Sequence, residues 1–147
     1  MRTRALVVVL AVALSACAMA ARQDQAPSPD ALQLAGTHWR FVTVDGHGVP
    51  PAVKATLVFE SDGHVSGHAG CNGYGGPWMA GSGTLHFGGM ISTKMACLQP
   101  AGAMATERNV FAALRETAQA RLQGHSLVLL DAEGAPLATL EPQPASQ

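Results

Sequence analysis

The 147-residue chain is 48% hydrophobic and 13% charged, enough apolar material for one packed domain, with only 5% aromatic residues to fill it. Its formal charge is −1, and loss of a leader carrying Arg2 and Arg4 leaves seven basic against ten acidic side chains. That balance excludes the basic face that supplies most nucleic-acid affinity, and no polybasic run addresses anionic lipid.

Arg2 and Arg4 precede an uninterrupted apolar run of ten residues, Ala5 to Leu14. The run is too short to cross about 30 Å of hydrocarbon as a helix, and it suits the apolar region of a secretory signal. It ends in Leu14-Ser15-Ala16-Cys17, which resembles a lipobox. On that reading residues 1–16 are removed, and the Cys17 thiol receives a diacylglycerol and becomes the first mature residue. Cleavage after Ala18-Met19-Ala20, giving a soluble secreted chain, and an uncleaved anchor are the alternatives. Ala18, rather than Asp, follows Cys17, as in lipoproteins sorted to the outer membrane. The expected location is therefore the cell envelope, on the outer membrane facing the periplasm. Residues 17–35 read as a polar tether with Pro27 and Pro29; 15 such residues reach about 50 Å when extended. The folded domain is expected over residues 36–142, with a frayed tail at 143–147.

Within the domain, His38 to Val44 alternates, placing Trp39, Phe41 and Thr43 on one face of a strand. Ala55 to Glu60 is a second strand, Ser61-Asp62-Gly63 a hairpin turn, and His64 to His68 a third strand interrupted by Gly67. The stretch Gly70 to Trp78 (GCNGYGGPW) reads as a turn-dense loop. Thr84 to Phe87 and Ile91 to Met95 are short strands. Met104, Glu107, Phe111, Leu114 and Ala118 recur at helical spacing, so one helix is expected over Ala103–Gln119, with Thr106 as N-cap. Leu127 to Leu130 and Pro136 to Leu140 close the domain as a hairpin across Asp131 to Gly134. The fold class is mainly β, in the α+β sense.

Taken together, Trp39, Gly70-Cys71-Asn72-Gly73-Tyr74-Gly75-Gly76, Ser92-Thr93-Lys94-Met95-Ala96-Cys97, the helix residues Glu107, Phe111 and Leu114, and the closing LVLLDAEGAPLATLE hairpin resemble the META domain family, which includes HslJ-like heat-shock proteins. The resemblance covers Gly36 to Glu141. It implies a strongly curved or barrel-like antiparallel sheet with one packed helix. Members are often envelope proteins or lipoproteins, some linked to heat or antibiotic stress, and a similar fold occurs in a lipid-binding pilot lipoprotein. No enzymatic activity comes with the family. Pro77-Trp78 departs from its pattern and leaves the start of the next strand open.

With Cys17 assigned to lipid, Cys71 and Cys97 are an even pair, and an oxidising compartment makes a disulfide their default state. Two buried free thiols, or a metal or catalytic thiol, are the alternatives. His64 and His68 lie near Cys71 in sequence, but on a strand they stand about 13 Å apart, too far to share one ion unless Gly67 forms a bulge. The six histidines, at 38, 47, 64, 68, 86 and 125, are otherwise scattered. The Gly-rich stretch lacks the Gly-Lys-Ser/Thr ending of a phosphate loop. No Gly-x-Ser-x-Gly elbow is present, and no carboxylate pair sits in a suggestive context. Neither a cofactor nor a metal is implied.

Met90, Met95 and Met104 read as core filler, and Gly70, Asn72, Gly73, Thr93 and Met95 as the residues that shape the motif loops. Trp78 is the candidate to line a groove. The function expected is that of a non-enzymatic, membrane-tethered envelope module. It would bind another envelope protein or, alternatively, carry a small apolar ligand or lipid inside the barrel. A thiol/His metal protein or an enzyme is the remaining alternative.

Overall fold

The computed structural model describes residues 32–144. The leader, Cys17 and most of the tether lie outside the described residues. The elements are β1 (His38–Val44), β2 (His47–Gly48), β3 (Lys54–Phe59), β4 (His64–Gly70), β5 (Gly73–Ala80), β6 (Leu85–Phe87), β7 (Ile91–Ser92), α1 (Ala103–Glu116), β8 (Gln119–Gln123), β9 (Ser126–Leu130) and β10 (Pro136–Pro142). The strands form one antiparallel sheet in the order β6-β5-β4-β3-β1-β10-β9-β8, with β2 on β1 and β7 on β5. Its two ends meet. Thr84 bridges Gln119, and the Leu85 N–H donates to the Ala118 carbonyl at 3.1 Å. The sheet thus curls into a nearly closed barrel, and α1 packs chiefly on β4.

The alternating strands send Trp39, Phe41, Ala55, Leu57, Phe59 and Val65 inward, where they meet Leu127, Leu129 and Leu140 from the closing hairpin. Helix residues Val110, Ala113 and Leu114 complete this core. Because aromatics are few, the interior is filled largely by branched aliphatic side chains interdigitating from facing strands.

The register of β1 against β10 slips between Phe41 and Thr43. This bulge re-aims the strand, so that Val44 rather than Thr43 is buried. Packing also begins before Gly36: Leu34 is buried and Leu32 leans on the core.

Three further expectations are corrected. The stretch Gly73 to Ala80 is not a loop but the strand β5, paired with β4 from His64↔Pro77 to His68↔Gly73. Only Cys71 and Asn72 separate β4 from β5. The helix stops at Glu116, because Thr117 turns extended and its hydroxyl donates to the Ala113 carbonyl. The following Gln119–Gln123 is then free to pair with β9 as β8. The N-cap is Gly102, not Thr106, which lies a turn inside the helix and is buried. The stripe read from sequence does face the barrel through Met104, Glu107, Phe111 and Leu114, and the buried face extends beyond it to Ala103, Thr106, Val110 and Ala113.

Strand pairing also sets two poles. Gly36 donates its N–H to Phe59, and Gln143 to His38, so chain entry and exit share one pole. Lys54 pairs with Gly70, so Cys71 and Asn72 lie at the opposite pole.

Candidate functional site

The motif residues converge at the far pole. The β4–β5 turn holds Asn72, which is only 2% exposed. Its Oδ1 accepts the Thr93 hydroxyl and the Met95 N–H, both at 2.8 Å. Its Nδ2 donates to the Met95 carbonyl at 3.0 Å and to the Glu107 carboxylate at 2.9 and 3.0 Å. The Asn72 backbone N–H donates to Glu107 Oε2 at 2.7 Å, and its carbonyl accepts the Ala69 N–H. Every hydrogen-bonding position of this side chain is thereby filled. An Asp here would lack the donors for the Met95 carbonyl and set a second carboxylate against Glu107. An Ala would leave buried polar groups without partners, which is costly in a low-dielectric interior.

Two neighbours hold this knot in place. Cys71 and Cys97 form a disulfide with Cα atoms 5.7 Å apart, the pairing expected from the cysteine count. Gly70 has φ +126°, and a Cβ there would strike the Ala103 carbonyl oxygen, so glycine lets the helix start approach the strand end. Around the disulfide, Val53, Ala103, Val49 and Met104 make a small second core.

Residues 91–98 thus run over the barrel as a strap. It is fastened by β7 pairing with Tyr74 and Gly75, by the Asn72 network and by the disulfide. Only Ile91 and Ser92 are strand, so the strand expected to run to Met95 is shorter. Met95 is not core filler: its backbone holds Asn72 while its side chain is 56% exposed. Ile91 and Leu98 are 79% and 91% exposed. Met90 and Met104 are partly buried against the two cores.

Gly73 opens β5, and its carbonyl accepts the Thr93 N–H. Beside it, the Tyr74 ring crosses Gly67 so that its hydroxyl donates to the Thr56 carbonyl at 2.8 Å. A Cβ on Gly67 would collide with both groups. Burial pushes the Tyr74 phenol far above its usual range. Trp78 sits edge-on to Phe59, ring centroids 5.0 Å apart, and its buried indole N–H has no hydrogen-bond partner among the described residues. It therefore packs at the margin of the core.

The metal alternative loses its ligands by geometry. Both thiols are in the disulfide, and β4 keeps unbroken register with β3, so Gly67 makes no bulge and His64 and His68 stay four residues apart. Sequence reasoning placed Glu107 on the helix without a role. The signal was a carboxylate set in an otherwise apolar stripe.

The META domain family model matches residues 32–144. An NMR structure of a protein from Burkholderia xenovorans is 27% identical, covers 84% of this chain and 97% of its own, and superposes with a TM-score of 0.61. A second NMR structure, 24% identical, covers 74% of this chain and 91% of its own at TM-score 0.59. The crystal structure of a DUF4847 family protein from Bacteroides vulgatus is 14% identical, covers 74% and 94%, and shares the fold at TM-score 0.52. No curated protein matches the chain.

Proposed function

Because this chain belongs to the META domain family, we propose that it is a lipid-anchored envelope module that acts by binding another envelope protein rather than by catalysis. The observation that carries the reading is the fate of the motif. Cys71, Asn72, Thr93, Cys97 and Glu107 are committed to internal cross-links and Gly70 to close packing against the helix start, which leaves their chemistry closed to a substrate. A filled interior favours contact through the outer surface over carriage of an apolar ligand inside the barrel. We assign that contact to the strap. Ile91, Met95 and Leu98 expose apolar side chains on a segment already held rigid, so little ordering entropy opposes binding to an apolar patch on the partner. The anchor is Cys17. The chain enters the domain at the pole opposite the disulfide. A stress-linked role follows from the family resemblance alone.

Intact mass of the membrane-extracted protein, with and without reduction and alkylation, tests the anchor. A mature chain beginning at Cys17 with a lipid-sized addition supports it; an unlipidated chain beginning near Ala21 overturns it. Photo-crosslinking from Leu98 in cells tests the contact. A discrete protein adduct that Met95→Asp abolishes, with unchanged melting temperature, supports it; no adduct removes the strap from the reading. Unaltered heat and antibiotic tolerance in a deletion strain would count against the stress role.

A further inference from the structure

The strap leaves one edge of the sheet open. β7 lies on β5 and has no strand on its other side among the described residues. Its register fixes which backbone groups point outward. Tyr74 stands opposite Ser92 and Gly75 opposite Ile91, and the Thr93 N–H donates to the Gly73 carbonyl. Hydrogen-bonded and non-bonded positions alternate along an antiparallel pair. Ile91 and Thr93 therefore turn their backbone groups toward β5, and Ser92 turns its own away. The alternation continues on both sides. Met95 gives its N–H and carbonyl to the Asn72 side chain. The backbones of Met90 and Lys94 make no hydrogen bond among the described residues. Three donor–acceptor pairs, about 7 Å apart, thus face outward on a segment already held in place by the disulfide and Asn72.

The edge specifies its occupant. Backbone donors and acceptors at that repeat match one extended chain, as in strand addition to an exposed sheet edge. The helix leaves room for it, because a cleft of about 490 Å³ lies between Met90 and the α1 residues Phe111 and Arg115. The charge beside the edge is positive. Lys94 is exposed and forms none of the ion pairs found among the described residues. Arg115 meets only the exposed Glu116, at 3.5 Å. Residues 88–106 contain no acid, so a second copy paired on this edge would bring another lysine and nothing to neutralise either. An edge lysine of this kind discourages pairing with like strands.

We propose that the Met90–Lys94 edge is a strand-addition site for an extended acidic segment of the partner protein. The segment hydrogen-bonds to Met90, Ser92 and Lys94. Strand alternation puts Lys94 on the Met90 face and Ile91 on the other, so acidic side chains on one face of the segment meet Lys94 and Arg115, and apolar ones on the other lie beside Ile91. The proposal rests on the reading of the strap as the contact surface and adds how the partner is held.

The test needs no envelope partner, so its outcome is separate from that of crosslinking in cells. The mature protein in non-ionic detergent is titrated, at fixed ionic strength and neutral pH, with a capped eight-residue peptide of alternating valine and glutamate, and followed by amide NMR and hydrogen exchange. The expected result is saturable binding that slows exchange at Met90, Ser92 and Lys94, in alternation with the already bonded Ile91 and Thr93. Ser92→Pro removes an outward N–H that β5 does not use, a change tolerated at a sheet edge. It should melt like the parent yet bind about tenfold more weakly, whereas Ser92→Ala should bind like the parent. The corresponding valine–lysine peptide should bind about tenfold more weakly than the glutamate one. No protection at the three outward amides, or equal peptide binding by a folded Ser92→Pro variant, would overturn the site. Equal binding of the lysine peptide would overturn the acidic assignment. Protection of the same amides that rises with protein concentration in the absence of peptide would overturn the occupant in favour of a second copy.

Discussion

Asn72 shows how much a single buried amide can hold. It ties the β4–β5 turn to the strap through Thr93 and Met95 and to α1 through Glu107. Asn72→Ala should cost about 3 kcal/mol, since one of the lost bonds is to a charged group and several buried partners go unpaired. Urea unfolding with an unchanged m-value would measure it. Tyr74 is the other singular residue, the one tyrosine in the chain. Its folded-state pKa is raised by burial. Its contribution is therefore fully present below the unfolded value of about 10 and is lost as pH rises beyond it. Stability should fall above about pH 10, with tyrosinate absorbance appearing only on unfolding. Tyr74→Phe should make that alkaline fall shallower while costing about 1 kcal/mol at neutral pH through the lost Thr56 hydrogen bond. A Phe variant as alkali-sensitive as the parent would refute the role given to Tyr74.

Among the elements, the strap is the least regular and the most heavily fastened. Two residues of strand would not order eight. The disulfide and the Asn72 amide do it instead. Cys71 and Cys97 are 26 positions apart, and closing a loop of that length stabilises the fold by about 3.6 kcal/mol in the chain-entropy model. The double variant Cys71→Ala, Cys97→Ala should lose about 3 kcal/mol on that basis, and hydrogen exchange at Thr93 and Met95 should rise before that of the barrel strands. Equal protection of strap and barrel in the double variant would mean that the Asn72 network alone fastens the strap. β5 teaches a related lesson. Its glycines suggested turns, yet Gly67 on β4 is small because the Tyr74 ring from β5 passes over it. Glycine there serves close packing between strands.

At the scale of the whole molecule, closure depends on a narrow seam. Among the described residues the backbone links across it are the Thr84–Gln119 bridge and the hydrogen bond from Leu85 to Ala118. The seam forms because α1 ends at Glu116 and Thr117 turns the chain back into the sheet. That single change of direction completes the barrel and sets α1 against β4. The helix start in turn comes beside the β1–β2 hairpin. The two poles follow from strand pairing, with chain entry at one and the motif at the other.

Local chemistry written along the chain determined the main strands, the Asp62-Gly63 turn, the closing hairpin, the presence of one helix, the cysteine pair and the family motif. Alternation, turn residues and an even pair of thiols report on their immediate neighbours, so one dimension suffices to read them. Tertiary contact decided the rest. β8 carries too little apolar alternation to be distinguished from a helix end, and only β9 makes it a strand. The bulge between Phe41 and Thr43 exists because β10 pairs there. Glu107 gains its purpose from Asn72, 35 residues away, and the exposure of Met95 from the strap's attachment on its other side. Such roles belong to pairs of residues, and a pair separated by a third of the domain leaves no periodic mark on either segment.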